Sequence, residues 1–131
     1  MHATYNLNSV FYKKSDCLYV YTPKEKEKLV IDKFNSCRYT FVYNTDEIYY
    51  LTKEGSLCYY NNGKTKIIAK DCSNILCENQ YKPIIVFEDS KENVYIAKKE
   101  KVIKTKLKNI QLSTINKSGT KIYYTQETDS S

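Results

Sequence analysis

The 131-residue sequence contains one histidine, His2, one arginine, Arg38, and no tryptophan. Histidine is the usual general base and a common metal ligand, so no Ser–His or Cys–His pair can form except with the terminal His2. Arginine provides the planar fork that recognises phosphates and base edges, whereas lysine is a solvated point charge. The net charge of +6 is therefore better explained by solubility than by a dedicated nucleic-acid surface.

Long apolar segments are absent as well. No apolar run approaches the roughly 18 residues that span a bilayer. The first residues, Met-His-Ala-Thr-Tyr-Asn, have no apolar signal region. We therefore expect no membrane span and a cytoplasmic rather than an extracellular location. Earlier removal of a leader is an alternative that the sequence leaves open.

The cysteines are odd in number, which disfavours a dedicated disulfide framework. They are Cys17, Cys37, Cys58, Cys72 and Cys77. A zinc site would need further cysteine or histidine ligands at suitable spacing, and the one histidine lies at the terminus. We expect no metal and no cofactor, and we predict buried free thiols at strand positions. The redox state of the five thiols stays open.

Glycine and proline are scarce, with three and two residues, whereas tyrosine is abundant, with 14. Tyrosine, valine, isoleucine and threonine favour strands because their side chains pack well on a pleated, half-buried surface. Alanine is scarce, and no stretch sustains the 3.6-residue period of a helix. The sequence therefore predicts an all-β fold.

Short apolar and tyrosine-rich segments recur at intervals of about 37 residues. One set comprises residues 10–12, 48–50, 85–87 and 122–124. Later sets comprise residues 18–21, 57–60 and 94–97, and then residues 28–31, 66–69 and 101–104. A further strand precedes each unit. Recurrence at a fixed period indicates a repeat architecture, and four short antiparallel strands per period are typical of a β-propeller blade.

Tight turns are predicted at Glu54-Gly55, Asn62-Gly63 and Ser118-Gly119, because asparagine and glycine tolerate positive φ. The first and third units lack glycine in their turns, which leaves their loop geometry open. The best unit, residues 46–75, contains Ile-Tyr-Tyr, a Gly turn, Leu-Cys-Tyr-Tyr, Asn-Gly-Lys-Thr-Lys and Ile-Ile-Ala-Lys-Asp, and residues 117–124 begin another unit. These motifs resemble blades of the Tyr-rich, TolB-like β-propellers of bacteria. The resemblance covers nearly the whole chain and implies a propeller fold, but this family, largely of unknown function, offers no catalytic residues to carry over.

The predicted organisation is a single propeller segment, residues 1–131, with repeats at approximately 1–35, 36–73 and 74–109 and a partial repeat at 110–131. This arrangement gives about 3.5 blades and about fourteen strands, with the chain beginning inside a first strand at Thr4-Tyr5-Asn6. A propeller closes with roughly four to eight blades, so we expect two copies to close a seven-bladed homodimeric ring, in which half-blades (half-sheets) pair across the two-fold axis. A piece of a larger repeat protein is the alternative. A β-sandwich or barrel and a parallel β-solenoid are the rival folds.

The function that the sequence favours is a non-catalytic propeller that binds a protein, a peptide or a small ligand, or that serves as a scaffold. The alternative is a surface rich in lysine and tyrosine that binds a polyanion such as nucleic acid. Its candidate residues are Lys98, Lys99, Lys101, Lys104, Lys106 and Lys108. Lysines on an outermost strand would also block edge pairing. A less favoured third hypothesis is a hydrolase with carboxylates near the propeller axis, such as Glu47, Glu88 and Asp89.

Overall fold

The computed structural model describes residues 2–3 and 9–126, with side chains for residues 9–126 other than Leu112. The segment Thr4-Tyr5-Asn6, predicted to lie in the first strand, is outside these residues. The described part of the chain forms fourteen strands and one short 3₁₀ helix, Phe34–Ser36, so the all-β prediction is confirmed. It contains no helix of the length and apolar character needed to cross a membrane.

The strands form four antiparallel sheets that follow one another along the chain. The first sheet contains β1 (His2–Ala3), β2 (Val10–Lys14), β3 (Cys17–Thr22) and β4 (Lys26–Ile31). The second contains β5 (Arg38–Phe41), β6 (Ile48–Leu51), β7 (Leu57–Asn61) and β8 (Lys64–Ala69). The third contains β9 (Cys72–Glu78), β10 (Ile84–Asp89), β11 (Asn93–Lys98) and β12 (Lys101–Lys108), and the fourth contains β13 (Ile110–Ile115) and β14 (Ile122–Gln126).

Each sheet is a meander, because its strands are ordered in space as they are in the sequence. The last strands of the first three sheets, β4, β8 and β12, therefore lie at sheet edges. All strand pairs are antiparallel. No sheet formed by the described residues closes on itself. The parallel solenoid and the closed barrel are consequently wrong as descriptions of this chain, and a stack of four sheets also differs from a two-sheet sandwich.

Successive sheets pack face to face through three apolar clusters. The first cluster joins the first and second sheets, for example Phe11 and Leu18 with Ile48 and Tyr50. A second cluster joins the second and third sheets, and a third joins the third and fourth sheets. Since side chains alternate between the faces of a strand, the second and third sheets are apolar on both faces. All four residues of β6 are buried for this reason.

The loop between the first two strands has the same closing hydrogen bond in three successive sheets. The N–H group of Val42 donates to the carbonyl oxygen of Glu47 at 3.0 Å. The N–H group of Asn79 donates to Ile84 at 3.0 Å, and that of Asn116 donates to Lys121 at 3.1 Å. These three loops, residues 42–47, 79–84 and 116–121, therefore share their size and their closure at steps of 37 residues in the sequence.

The turns use left-handed backbone conformations far more often than the glycine content predicts. All three glycines have positive φ, as expected for the predicted turns. Ten other described residues also have positive φ, namely Ser15, Lys26, Lys33, Asn44, Asn62, Asp71, Gln80, Glu92, Lys99 and Asn109. A side chain in this region costs roughly 1–2 kcal/mol, least for asparagine and aspartate. Packing between the sheets therefore has to offset strain in the turns.

Replacing Lys99 by glycine should raise the free energy of unfolding by roughly 0.5–1 kcal/mol, because glycine relieves the left-handed strain but adds chain entropy to the unfolded state. Lys99 has φ of 52° and an exposed side chain in the turn between β11 and β12. The matched control is Lys104→Gly, an exposed position inside strand β12, which should lower stability by a similar amount. Urea unfolding followed by circular dichroism measures both variants. Equal destabilisation by the two would contradict the prediction.

Candidate functional site

Three loops from successive sheets lie side by side along one side of the stack. The N–H group of Tyr43, in the loop of the second sheet, donates to the carbonyl oxygen of Gln80 in the third. The side-chain amide of Asn79 donates to the carbonyl oxygens of Asn116 and Lys117 in the fourth sheet, at 2.8 and 3.1 Å. The loops 42–47, 79–84 and 116–121 therefore form one continuous surface.

Two tyrosine rings stand out on this surface. Tyr43 and Tyr81 are 65% and 52% exposed, and their ring centroids are 5.8 Å apart with planes inclined at 58°. The ammonium group of Lys117 lies 4.8 Å from the centroid of Tyr81, within the range of a cation–π contact. We call Tyr43, Tyr81 and Lys117 the tyrosine ledge. Each of its three residues comes from a different sheet.

Buried asparagine holds the ledge in place. Asn79 is buried, and its side-chain oxygen accepts from the N–H groups of Tyr81 and Lys82 at 3.0 and 3.1 Å. Asn116 is one 37-residue step further on, and its side-chain oxygen accepts from the N–H groups of Thr120 and Lys121 at 2.9 and 2.8 Å. Such side-chain-to-backbone bonds fix turns that glycine or proline would otherwise fix. The aromatic rings are thus presented from ordered loops.

The charge around the ledge is mainly positive. Lys82, Lys117 and Lys121 are exposed on its loops, whereas Asp46 is half-buried. The neighbouring carboxylate of Glu47 is buried beneath the surface and accepts a hydrogen bond from the hydroxyl of Tyr59. This carboxylate is therefore not available at the surface. The exposed tyrosine rings and lysines favour a ligand that is both apolar and acidic.

Sequence reasoning missed the ledge. Tyr43 and Lys117 are separated by 74 residues, which is two steps of 37, whereas Tyr81 lies 38 residues after Tyr43, so the two tyrosines do not occupy equivalent repeat positions. Only the lateral contact between loops brings them together. The available signal was a tyrosine near the end of each predicted first strand, with Tyr43 inside its strand and Tyr81 directly after its strand, beside positions where exposed loops are expected.

The six predicted polyanion residues do lie together, along one edge of the third sheet. Lys98 ends β11, Lys99 is in the turn, and Lys101, Lys104, Lys106 and Lys108 are exposed on the edge strand β12. The intervening Thr105 and Leu107 are half-buried, so the expected alternation is present. An edge strand lined by lysines resists pairing with another strand. This placement is compatible with edge protection and with polyanion binding, and it does not discriminate between these two roles.

The carboxylates considered for hydrolysis do not converge. Glu47 precedes β6, whereas Glu88 and Asp89 end β10, so they belong to opposite ends of the second strands of their sheets. Asp89 accepts hydrogen bonds from the N–H groups of Lys91 and Asn93 and from the hydroxyl of Tyr95. Desolvation raises the pKa of Asp89, but these bonds outweigh it and bring the pKa to about 2. Asp89 is thus an ionised turn anchor, unlike a general acid.

A shallow cavity of about 270 Å³ lies between the second and third sheets, beside Asp89. The stacked rings of Phe87 and Tyr95, 5.2 Å apart, form part of its wall, and Asp71 lies at its margin. The carboxylate of Asp71 accepts from the hydroxyl of Ser90 at 2.8 Å. Both acidic side chains are therefore engaged in turn structure. Across the described residues, no group of three His, Cys, Asp or Glu side chains is arranged to hold a metal ion.

The five cysteines are unpaired, as predicted. Cys58, Cys72 and Cys77 are buried, whereas Cys17 and Cys37 are half-buried, so the prediction of burial holds for three of the five. Burial raises the pKa of the Cys72 thiol to about 11 and raises the pKa of Cys58 and Cys77. A raised pKa leaves little thiolate near neutral pH. The thiols thus pack as small apolar groups.

No protein-family model, curated protein or solved structure matches this chain. The resemblance to TolB-like propellers therefore stays a prediction, and the residues themselves carry the functional argument.

Replacing Tyr59 by phenylalanine should lower the free energy of unfolding by about 1–3 kcal/mol, because the buried carboxylate of Glu47 loses its hydroxyl donor. Tyr49→Phe should cost less, about 0.5–1.5 kcal/mol. The Tyr49 hydroxyl donates to the carbonyl oxygens of Pro83 and Lys99. After its removal, the carbonyl oxygen of Pro83 still accepts from the N–H group of Lys99 at 2.8 Å. Denaturant unfolding of both variants gives the comparison. Adding Glu47→Gln to Tyr59→Phe should recover part of the loss, and equal costs of the two tyrosine variants would contradict the argument.

Replacing Asp89 by asparagine should lower stability in a pH-dependent way. The folded pKa of about 2 lies below the ordinary value of 3.8, so the ionised carboxylate stabilises the fold above about pH 4. That contribution is lost as the pH falls through about 2. The difference in urea midpoint between the wild type and Asp89→Asn should therefore be constant near neutral pH and shrink between about pH 4 and pH 2. A difference that does not change over this window would contradict the assignment.

Proposed function

We propose that this chain is a non-catalytic binding module of the β-propeller kind, whose tyrosine ledge binds an extended acidic segment of a protein partner. One observation carries the proposal: equivalent loops of three successive sheets place Tyr43, Tyr81 and Lys117 on a single exposed surface. The propeller relationship is supported by four-stranded antiparallel meanders that stack face to face in chain order. Rigid stacks with variable loops are suited to binding.

The shape of the ledge favours a peptide. The two exposed tyrosine rings, inclined at 58°, present an aromatic surface on which a proline or aromatic side chain can pack, and each hydroxyl can bond a peptide carbonyl. Exposed aromatic residues are also the residues that contribute most to protein interfaces. Lys82 and Lys121 are exposed on the same loops and can pair with carboxylates of the segment. The chemistry expected of the partner is therefore apolar rings alternating with acidic groups.

Binding of a fluorescein-labelled peptide that alternates acidic residues with proline and phenylalanine tests the ledge by fluorescence anisotropy. Replacing both Tyr43 and Tyr81 by alanine should weaken binding at least about tenfold, as expected for the loss of two aromatic contacts. The matched control is Tyr39→Ala, which removes a tyrosine of similar exposure outside the ledge. A peptide with lysine in place of its acidic residues should bind poorly. Equal binding by the double variant and the wild type would refute the ledge as the site.

A second candidate function is supported by the lysine-lined edge of the third sheet. Lys104, Lys106 and Lys108 are exposed on the same side of β12, and Lys98, Lys99 and Lys101 continue the positive charge through its hairpin. Such a row can follow a phosphate backbone. A labelled single-stranded oligonucleotide should then bind at low salt, and Lys104→Glu combined with Lys106→Glu should abolish binding. Retention of oligonucleotide by this variant but not by Tyr43→Ala/Tyr81→Ala would assign nucleic-acid binding to the ledge instead.

A further inference from the structure

The contacts between sheets have a direction. In the second and third sheets, one face packs against the following sheet and the other against the preceding sheet. Phe11, Tyr49 and Val86 occupy the same position on the second strands of the first three sheets, and each packs against the following sheet. All three have no exposed surface. This position is therefore an interface position wherever a following sheet is present.

Tyr123 occupies that position in the fourth sheet. It follows Ile122, which packs against the third sheet, and so points to the opposite face together with its cross-strand neighbour Thr114. Tyr123 is 57% exposed, in contrast to the three equivalent residues. A large aromatic side chain thus stands uncovered at a position that is fully buried in the rest of the stack.

The first sheet has the complementary uncovered face. Its outward face carries Val10, Tyr12, Tyr19 and Tyr21, which strand register matches to Ile48, Tyr50, Cys58 and Tyr60 in the second sheet. Those four residues of the second sheet are buried against the first sheet. Tyr21 is 41% exposed, whereas its counterpart Tyr60 is only 5% exposed. The first sheet therefore presents the interface pattern of the second sheet, and no sheet formed by the described residues covers it.

We infer that a second copy of this chain covers these faces head to tail, with the fourth sheet of one copy packed on the first sheet of the other. The two faces continue the interfaces already made between successive sheets: Tyr123 occupies the buried position of Tyr49, and four residues of the first sheet occupy the positions by which the second sheet covers the first. The inference rests on the stacked architecture in the proposed function but is independent of the ledge, which lies on the loops and not on either end face.

The charged groups on the end face allow this packing. Lys14 and Glu27 lie on the outward face of the first sheet, with the ammonium and carboxylate groups 3.0 Å apart. The hydroxyl of Tyr12 also donates to Glu27, and the ammonium of Lys14 lies 5.0 Å from the ring centroid of Tyr19. Neither charge is isolated, so covering the face would not bury an unpaired ion. Tyr12 and Tyr19 are stacked, with centroids 5.9 Å apart, and present a broad aromatic surface.

A head-to-tail contact joins two different faces, so it is heterologous. Two copies related by a two-fold rotation can close a ring that contains this contact twice, and otherwise copies add to form longer chains. This arrangement differs from the pairing of half-sheets across a two-fold axis. It is favoured here because the exposed tyrosines project from sheet faces, where they make no contribution to edge pairing.

The experiment uses two charge-introducing variants that each damage one face. Tyr21→Lys alters the first sheet, where the new ammonium lies opposite Glu27 in the strand register, and Tyr123→Lys alters the fourth. Sedimentation velocity across a range of micromolar concentrations should show self-association of the wild type and a monomer for each variant alone. Mixing the two variants should give a one-to-one complex, because each retains the face that the other lacks. A wild type that stays monomeric, or a mixture without a complex, would overturn the inference.

Further variants distinguish loss of the head-to-tail contact from misfolding and from changes at the tyrosine ledge. Thr114→Arg, on the same face as Tyr123, should also prevent self-association, whereas Tyr123→Phe should retain it. Tyr43→Lys alters an exposed tyrosine of the ledge and should self-associate like the wild type. Tyr21→Lys should bind the acidic peptide normally, so failure of self-association and failure of peptide binding are distinguishable. Self-association of Tyr123→Lys with the wild-type dissociation constant would overturn the proposed arrangement.

Discussion

The structure depends on one requirement: a sheet that is apolar on both faces must be covered on both faces. Strand β6 shows it most simply, because Ile48 and Tyr50 pack against the first sheet while Tyr49 and Leu51 pack against the third. A meander of four short strands cannot satisfy both sides alone, so the sheets stabilise one another as neighbours in a stack. The strained turns and lysine-lined edges are tolerated because burial between sheets supplies the stabilisation.

Tyrosine suits this requirement better than an aliphatic residue would. The ring fills the space between sheets, and the hydroxyl reaches beyond the apolar layer to the loops. Tyr49 binds carbonyl groups of Pro83 and Lys99 in the next sheet, and Tyr59 binds the carboxylate of Glu47 beside its own loop. The same side chain therefore packs the sheets and fixes the loops that carry the ledge. The sequence is thus poor in glycine and rich in tyrosine, and packing between sheets, not glycine, stabilises most of its turns.

The strands and their order could be predicted from the sequence because both depend on short-range pattern. Continuous apolar and tyrosine-rich runs define β6 and β7, and recurrence every 37 residues places their counterparts. The lysines of β12 are neighbours in sequence, so their common edge was also predictable. The ledge was not, because Tyr43 meets Tyr81 only after two loops from different sheets are placed side by side. Nor does composition show that Lys99 or Glu92 adopts positive φ, since tertiary packing imposes that conformation.

The ends of the stack and the ledge together suggest how assembly would affect binding. Successive sheets place their first loops on the same side, as the contacts of Tyr43 with Gln80 and of Asn79 with Asn116 show. The proposed head-to-tail contact would repeat that relation between copies, so each added copy would bring its own ledge to the same side. Linked ledges would hold a long acidic segment by avidity, and the second contact would be effectively intramolecular. Weak binding at each ledge would then suffice for tight binding overall, because association through the end faces determines how many ledges are linked.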